Sequence, residues 1–276
     1  MKLLTLNTHS LVEDNYPQKL EAFVEAIAAE KPQIIALQEV NQSISAMPAE
    51  VTGYYHPCYE NAVIKCNNYV YRAAQLLREK GVDYYWTWLP IKKGYDRYDE
   101  GIAVMSLSPI LETDTLTVSD NDDYDNWKTR RLLGVRTEAL PDEWFFSVHY
   151  GWWGDPDEPF RHQWIRTAEH MTIYDSVWLM GDFNAPADIR GAAYDLVKRS
   201  YWHDTYELAQ EKDNGNTVSG VIDGWAESNE KSMRIDQIWC NKKVVITSSE
   251  VVFNGARYPV ISDHCGVMVS YERSLI

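Results

Sequence analysis

Four apolar residues, Val177-Trp178-Leu179-Met180, are stopped by Gly181 and followed at once by Asp182-Phe183-Asn184-Ala185-Pro186. An unbroken apolar run of this length has the character of a strand buried on both faces. Gly181 breaks it and Pro186 prevents its continuation. Asp182 and Asn184 therefore stand in the turn at the strand's C-terminal end. A carboxylate and a carboxamide emerging together from the mouth of a sheet can activate and orient a water.

Similar arrangements recur along the chain. Residues 2–6 form an apolar strand with Asn7 and His9 at its end. Tyr16, Leu20, Phe23, Val24, Ile27 and Ala28 recur at helical spacing, and Pro17 suits a first turn, so a helix is expected over 16–30. Ile34-Ile35-Ala36-Leu37 is a second buried strand delivering Gln38-Glu39. This strand–helix–strand unit would bring Asn7 and Glu39 together. Residues 41–67 are irregular, and a helix is expected over about 68–80. A strand over Tyr84–Leu89 precedes a polar loop, Lys92–Asp99. Glu100-Gly101 opens the strand Ile102–Met105. Glu112–Asp125 is acidic and expected as a solvated loop, before Lys128, Arg130 and Arg131 reverse the sign. Strands follow at Leu132–Thr137 and Trp144–Val148, the second ending in His149. Helices are expected over 159–171 and 188–200. A long loop over 213–232 leads to a strand carrying Asp236. Val244–Ile246 and Val251–Phe253 are two further short strands, and Ser262-Asp263-His264 opens the last, Cys265–Ser270. No repeat or linker divides the chain, so residues 1–276 are expected to form one domain.

Composition narrows the function. The formal net charge is −15. An acidic surface repels the phosphate backbone whose attraction supplies most non-specific nucleic-acid affinity, which argues against a general DNA- or RNA-binding protein. No apolar stretch approaches the roughly 18 residues of a membrane span, and the N-terminus is too short and polar for a signal peptide. A cytoplasmic protein with reduced thiols and no membrane partner is expected. Cys58 and Cys66 beside His56 match no zinc-ligand spacing.

Asn7, Glu39, Glu100, His149, Asp182 with Asn184, Asp236, and Asp263 with His264 thus stand at strand ends or beginnings. Alone, each is an ordinary polar surface or turn residue. Together they supply the oxygen ligands that hard Mg²⁺ prefers and two histidines with carboxylate partners. Metal, oriented water and imidazole are the parts of hydrolytic phosphoryl transfer.

The ordered set Leu6-Asn7, Gln38-Glu39, Glu100-Gly101, Val148-His149, Gly181-Asp182-Phe183-Asn184, Ile235-Asp236 and Ser262-Asp263-His264 resembles the motifs of the endonuclease/exonuclease/phosphatase superfamily. The resemblance implies an α/β (α+β) fold, a four-layer αββα sandwich of two packed mixed β-sheets flanked by helices. It implies a Mg²⁺ cofactor, with Mn²⁺ as a substitute, held by Glu39, Asn7 and Asp263. Asp182 would orient or deprotonate the attacking water and Asn184 would hold water or phosphate. His264, oriented by Asp236, would contact a phosphoryl oxygen or act as base. His149 would face the reacting phosphate with Glu100 as its partner, and His9 is a peripheral candidate.

Loops choose the ester. The adjacent arginines Arg130 and Arg131 can grip an anion or form plain surface ion pairs; Arg161 stands apart. Trp152, Trp153 and Trp225 lie in expected loops. Their faces can stack on sugar rings, or they pack the loops onto the sandwich. Carboxylates in 150–161 can bind hydroxyls. The Arg130-Arg131, Gly151-Trp152-Trp153, Glu158-Pro159-Phe160 and Asp223-Gly224-Trp225 segments also resemble the bacterial sugar-phosphate phosphatase branch. The expected substrate is a small phosphorylated sugar such as maltose 6'-phosphate. The competing readings are a nuclease or other phosphodiesterase, marked by a basic groove, and an inactive binding module, marked by loss of a motif residue.

Overall fold

Thirteen strands occur in the computed structural model, which describes residues 1–51, 53–60, 62–219 and 232–273. In chain order they are β1 (Lys2–Asn7), β2 (Ile34–Ser43), β3 (Tyr85–Gly94), β4 (Tyr98–Ser106), β5 (Ile110–Thr117), β6 (Arg131–Thr137), β7 (Leu140–His149), β8 (Val177–Asp182), β9 (His203–Asp204), β10 (Glu211–Lys212), β11 (Asp236–Cys240), β12 (Val245–Val252) and β13 (Gly266–Glu272). The helices are α1 (Tyr16–Glu30), α2 (Tyr69–Glu79), α3 (Phe160–His170), α4 (Ala193–Arg199) and α5 (Thr205–Leu208).

Two mixed sheets result. One has seven strands in the order β10-β12-β13-β1-β2-β4-β3, the other six in the order β5-β6-β7-β8-β11-β9. The pairs β1–β2 and β7–β8 are parallel, because a helix returns the chain each time.

Period-2 alternation divides the apolar residues into layers. In β8, Trp178 and Met180 join Ile34, Ala36, Ile102 and Val104 of the other sheet in an inter-sheet core. Val177 and Leu179 face the other way and pack with Phe160, Trp164 and Val197 of α3 and α4. On the far side, Leu4, Leu6, Ile35 and Leu37 pack against Phe23 and Ile27 of α1 and Val70 and Leu77 of α2. The four layers are helix, sheet, sheet, helix. Strands covered on both faces carry continuous apolar runs, as Val177–Met180 does.

Several expectations are corrected. Lys92–Asp99 is not a loop: β3 runs to Gly94 and β4 begins at Tyr98, with Lys92 opposite Glu100 in the ladder. Its polar residues face a polar cleft rather than a core, which hides the strand from a hydrophobicity reading. Within the acidic stretch, β5 extends to Thr117 as an edge strand, where outward charges are tolerated. The two short strands expected near 244–253 are one, β12, with a register shift between Ile246 and Ser248. The helix expected over 188–200 is confined to Ala193–Arg199.

Glu30, at the end of α1, ties that helix to two other segments. Its carboxylate accepts from Lys2 Nζ, Arg257 Nη2 and Tyr258 Oη, each at 2.7 Å. Burial opposes the charged form, but these donors together hold the group down at about 2, against 4.5 unperturbed. A lowered folded pKa stabilises above the unfolded value and is lost as pH falls through the folded one. Two of the partners are more than a third exposed, so solvent screening leaves about 1 kcal/mol. A Glu30→Gln variant is expected to unfold at lower urea than the wild type near neutral pH, with the gap closing between about 4.5 and about 2. A gap independent of pH would show that the carboxylate charge is not what these contacts use.

Candidate active site

The alternation that builds the core also builds the site. Asp182 follows Trp178 and Met180 on the same side of β8 and ends the strand facing the inter-sheet gap. By the same count Phe145 leads to Ser147 and His149 in β7, Leu3 to Thr5 and Asn7 in β1, and Cys240 and Ile238 back to Asp236 in β11. A polar layer caps the core first. Gln38 Nε2 donates to Ser147 Oγ at 2.9 Å across the two sheets, and Ser147 Oγ donates to Leu37 O at 3.0 Å. The ladder then sets His149 and Asp236 beside Asp182 on its two neighbouring strands. A Cβ on Gly181 would lie 1.9 Å from Val148 O, so glycine is what lets β7 and β8 approach at this end.

Glu39 reaches the site by a different device. Strict alternation after Ala36 and Gln38 would turn it away. Instead β2 slips register against β4 between Leu37 and Val40, and Glu39 takes a φ of 51°. A bulge of this kind re-aims a side chain. Asn7 Nδ2 consequently donates to Glu39 Oε1 at 2.9 Å and to Asp182 Oδ2 at 3.3 Å. Asn184, also left-handed at φ 46°, closes the turn: its backbone N–H donates to Asp182 Oδ1 at 2.8 Å, and its Nδ2 to Tyr150 O at 2.9 Å.

Burial and neighbouring charge separate the protonation states. Burial, with Asp236 close by, raises Asp182 to about 7. Burial would lower His264, but Asp236, whose Oδ2 lies 2.8 Å from its Nδ1, outweighs that and raises it to about 10. His149, with Nε2 3.6 Å from Asp182 Oδ2, is pushed well down by burial and by Arg130, Lys92 and His264. These opposite shifts favour the imidazolium form at His264 and the neutral form at His149. Burial, then Glu100 and Asp263, push Glu39 up. Glu39 and Asp263 offer carboxylate oxygens whose crowding a divalent cation would offset, a donor type that fits a hard cation such as Mg²⁺ or Mn²⁺. Asn7 turns its Nδ2 to Glu39 while its Oδ1 accepts the His9 N–H at 3.3 Å, so its oxygen would join them only with the amide reversed.

These groups line a cleft of about 490 Å³ with His9, Lys92, Lys93, Gly94, Tyr95, Glu100, Trp127, Arg130, Trp152 and Asp263. Asn7 and Asp236 are fully buried and do not line it. Asp182, Asp236 and His264 present ligand-type atoms within 4.8 Å of one another, as do His9, Glu13 and Asp263.

Other placements depart from expectation. Glu100 is not the partner of His149. It is the cross-strand neighbour of Lys92, with Oε1 3.2 Å from Nζ. Of the two arginines only Arg130 enters the cleft; Arg131 begins β6 and turns out to Asp122, its Nε donating at 2.9 Å. Trp152 lines the cleft, whereas Trp153 is exposed outside it. Arg161 sits exposed in the first turn of α3, outside the cleft. Trp225 lies outside the described residues. The carboxylates of 150–161 hold loops rather than facing a ligand: Asp155 and Asp157 take Lys128 at 2.9 and 2.7 Å, and Glu158 accepts the backbone N–H groups of Asp120 and Asn121. Most tryptophans fill cores, including Trp88, Trp164, Trp178 and Trp239.

Sequence reading missed Lys92, Tyr95 and Trp127. Their one legible signal is that Lys92 precedes Glu100 by a hairpin's length; Trp127 carries none, because its loop reaches the cleft only through tertiary packing.

The sequence matches a family model described as Endonuclease/Exonuclease/phosphatase family over residues 4–264. Among solved structures, an endonuclease/exonuclease/phosphatase family protein from Leptotrichia buccalis C-1013-b superposes with a TM-score of 0.87 at 28% identity, over 99% of this chain and 100% of that one. A mannosyl-6-phosphatase from Bacteroides thetaiotaomicron VPI-5482 shares the fold at TM-score 0.67 and 16% identity, over 99% and 100% of the chains. So does a 3'-5' exonuclease from Neisseria meningitidis, at TM-score 0.63 and 17% identity, also over 99% and 100%. No curated protein matches the sequence.

Proposed function

The chain belongs to the endonuclease/exonuclease/phosphatase family, and from that premise we propose that it is a divalent-metal-dependent phosphomonoesterase acting on a small sugar phosphate. One observation carries the choice of ester. The cleft that holds Glu39, Asp182, His149 and His264 is walled by two tryptophans, Trp127 and Trp152, with ring centroids 5.7 Å apart. Its volume, about 490 Å³, lies in the range of small-molecule sites. Flat aromatic faces suit the apolar faces of a sugar ring, and the net charge of −15 disfavours a polynucleotide track. A mannosyl-6-phosphatase on the same fold lends support.

Glu39 and Asp263, with Asn7 beside them, would hold the cation, which would supply positive charge to the phosphoryl oxygens and to the attacking water. The remaining roles follow from protonation state. Asp182, raised to about 7, accepts the proton of the attacking water. Asn184 fixes that carboxylate through its N–H. His264 is held as the imidazolium by Asp236 and therefore donates to a non-bridging oxygen rather than acting as base. Neutral His149 hydrogen-bonds the leaving oxygen.

Phosphate release is expected from maltose 6'-phosphate or another member of a panel containing trehalose 6-phosphate, glucose 6-phosphate and an inositol phosphate. It should require Mg²⁺ or Mn²⁺ and stop in EDTA, with supercoiled DNA left intact. Nicked DNA without phosphate release would replace the monoesterase reading with a nuclease.

A further inference from the structure

Two basic side chains are buried at the wall of the cleft, and the described residues place one carboxylate in ion-pair contact with them. Lys92 and Arg130 are 7% and 3% exposed. Lys92 Nζ donates to Trp127 O at 2.8 Å and Arg130 Nη1 donates to the same oxygen at 2.9 Å. Like charges thus converge on one carbonyl in a buried site, which repels unless anions answer them. Glu100, 3.2 Å from Lys92, answers one. Arg130 forms no ion pair among the described residues. Its hydrogen bonds go from Nη1 to the backbone oxygens of Trp127 and Thr129, and its Nε is buried without a partner. Arg130 is thus held by backbone carbonyls and by the attraction of Glu100, Glu39, Asp182 and Asp155 without a contact ion pair among the described residues, at the wall of a cleft that also presents His264.

Both cations act on the reacting centre. Arg130 and Lys92 are among the charges that push His149 down, so their field reaches the position where a phosphoryl group faces that imidazole. A phosphomonoester carries nearly two negative charges near neutral pH and a phosphodiester carries one. We propose that Lys92 and Arg130 form a dianion-reading subsite that makes the enzyme select phosphomonoesters over phosphodiesters. Trp127 is its support: the carbonyl both cations share fixes their separation, while the indole of the same residue forms the cleft wall beside Trp152. The phosphate charge and the body of the ester thereby meet at one residue, Trp127. This inference rests on the monoesterase reading and names the residues that enforce it.

Binding tests it without turnover. Orthophosphate, a dianion at mildly alkaline pH, and dimethyl phosphate, a monoanion, are titrated by calorimetry into the Mg²⁺-loaded protein. The wild type should bind orthophosphate more tightly. Lys92→Gln should weaken orthophosphate by about tenfold to a hundredfold, the range for a hydrogen bond to a charged group, and dimethyl phosphate far less. Lys92→Arg should retain the preference. If Lys92→Gln fails to fold because Glu100 loses its partner, Lys92→Gln combined with Glu100→Gln removes both charges and carries the same comparison. A charge-neutral variant that keeps the wild-type ratio of affinities overturns the subsite. The monoesterase reading fails separately, if the wild type cleaves bis(p-nitrophenyl) phosphate in preference to p-nitrophenyl phosphate.

Discussion

An Asp182→Asn variant is expected to lose kcat by about 10²- to 10⁴-fold, the usual contribution of a positioned acid or base, with KM little changed. Asn has the same shape, so its side-chain oxygen can still accept the Asn184 N–H that Asp182 Oδ1 takes at 2.8 Å. What it cannot do is take a proton from water. Folding should not suffer. Asp182 is 2% exposed, and burial beside Asp236 raises its carboxyl to about 7. A raised folded pKa means that the charged form destabilises the fold as pH rises from the unfolded value toward 7, so the variant in EDTA should melt no lower than the wild type above neutral pH. Active-site charges of this kind commonly trade stability for chemistry. Phosphate-release kinetics and thermal melts read both effects. A kcat within a few-fold of wild type would assign the proton to another group.

Glu39→Gln is expected to weaken Mg²⁺ by about tenfold to a hundredfold or more, comparable with the losses seen when the support of a metal ligand is removed. Activity at low Mg²⁺ should fall accordingly and recover in part at high Mg²⁺. The two variants are distinguishable. Asp182→Asn should still bind metal in calorimetry but not turn over, whereas Glu39→Gln should fail first in binding. The amide keeps the shape that meets Asn7 at 2.9 Å and removes one of the charges crowded with Glu100 and Asp263. An unchanged Mg²⁺ titration would remove Glu39 from the ligand set.

Much of this site was legible because the information is local. The buried strands end in polar residues, and period-2 counting from an apolar core predicts which of those residues face inward. Asn7, His149, Asp182 and Asp236 all follow that count. Glu39 does not, since it reaches the site through a bulge and a left-handed backbone that no periodicity reveals; its place at the end of the second buried strand and its motif pointed to it. Glu100 was found by its motif but paired with the wrong partner, because cross-strand register places Lys92 opposite it and register is a property of two segments.

The loops were read less well, for the same reason. In Arg130-Arg131 and in Trp152-Trp153 the two residues are chemically alike, yet one of each pair enters the cleft and the other faces away. The acids of 150–161 looked like hydroxyl acceptors and instead bind Lys128 and the backbone of 120–121. Alternating burial, turn residues and ordered motifs are encoded within a few residues of chain, and they suffice for the sandwich and for most of the residues that meet in the candidate site. Register, bulges and loop-to-loop ion pairs join residues far apart in sequence. They decide the opposing surroundings of Asp182 and His264, the shared clamp on Trp127 and the cleft proposed to select the ester, because each depends on which distant residue is finally brought within a few ångströms.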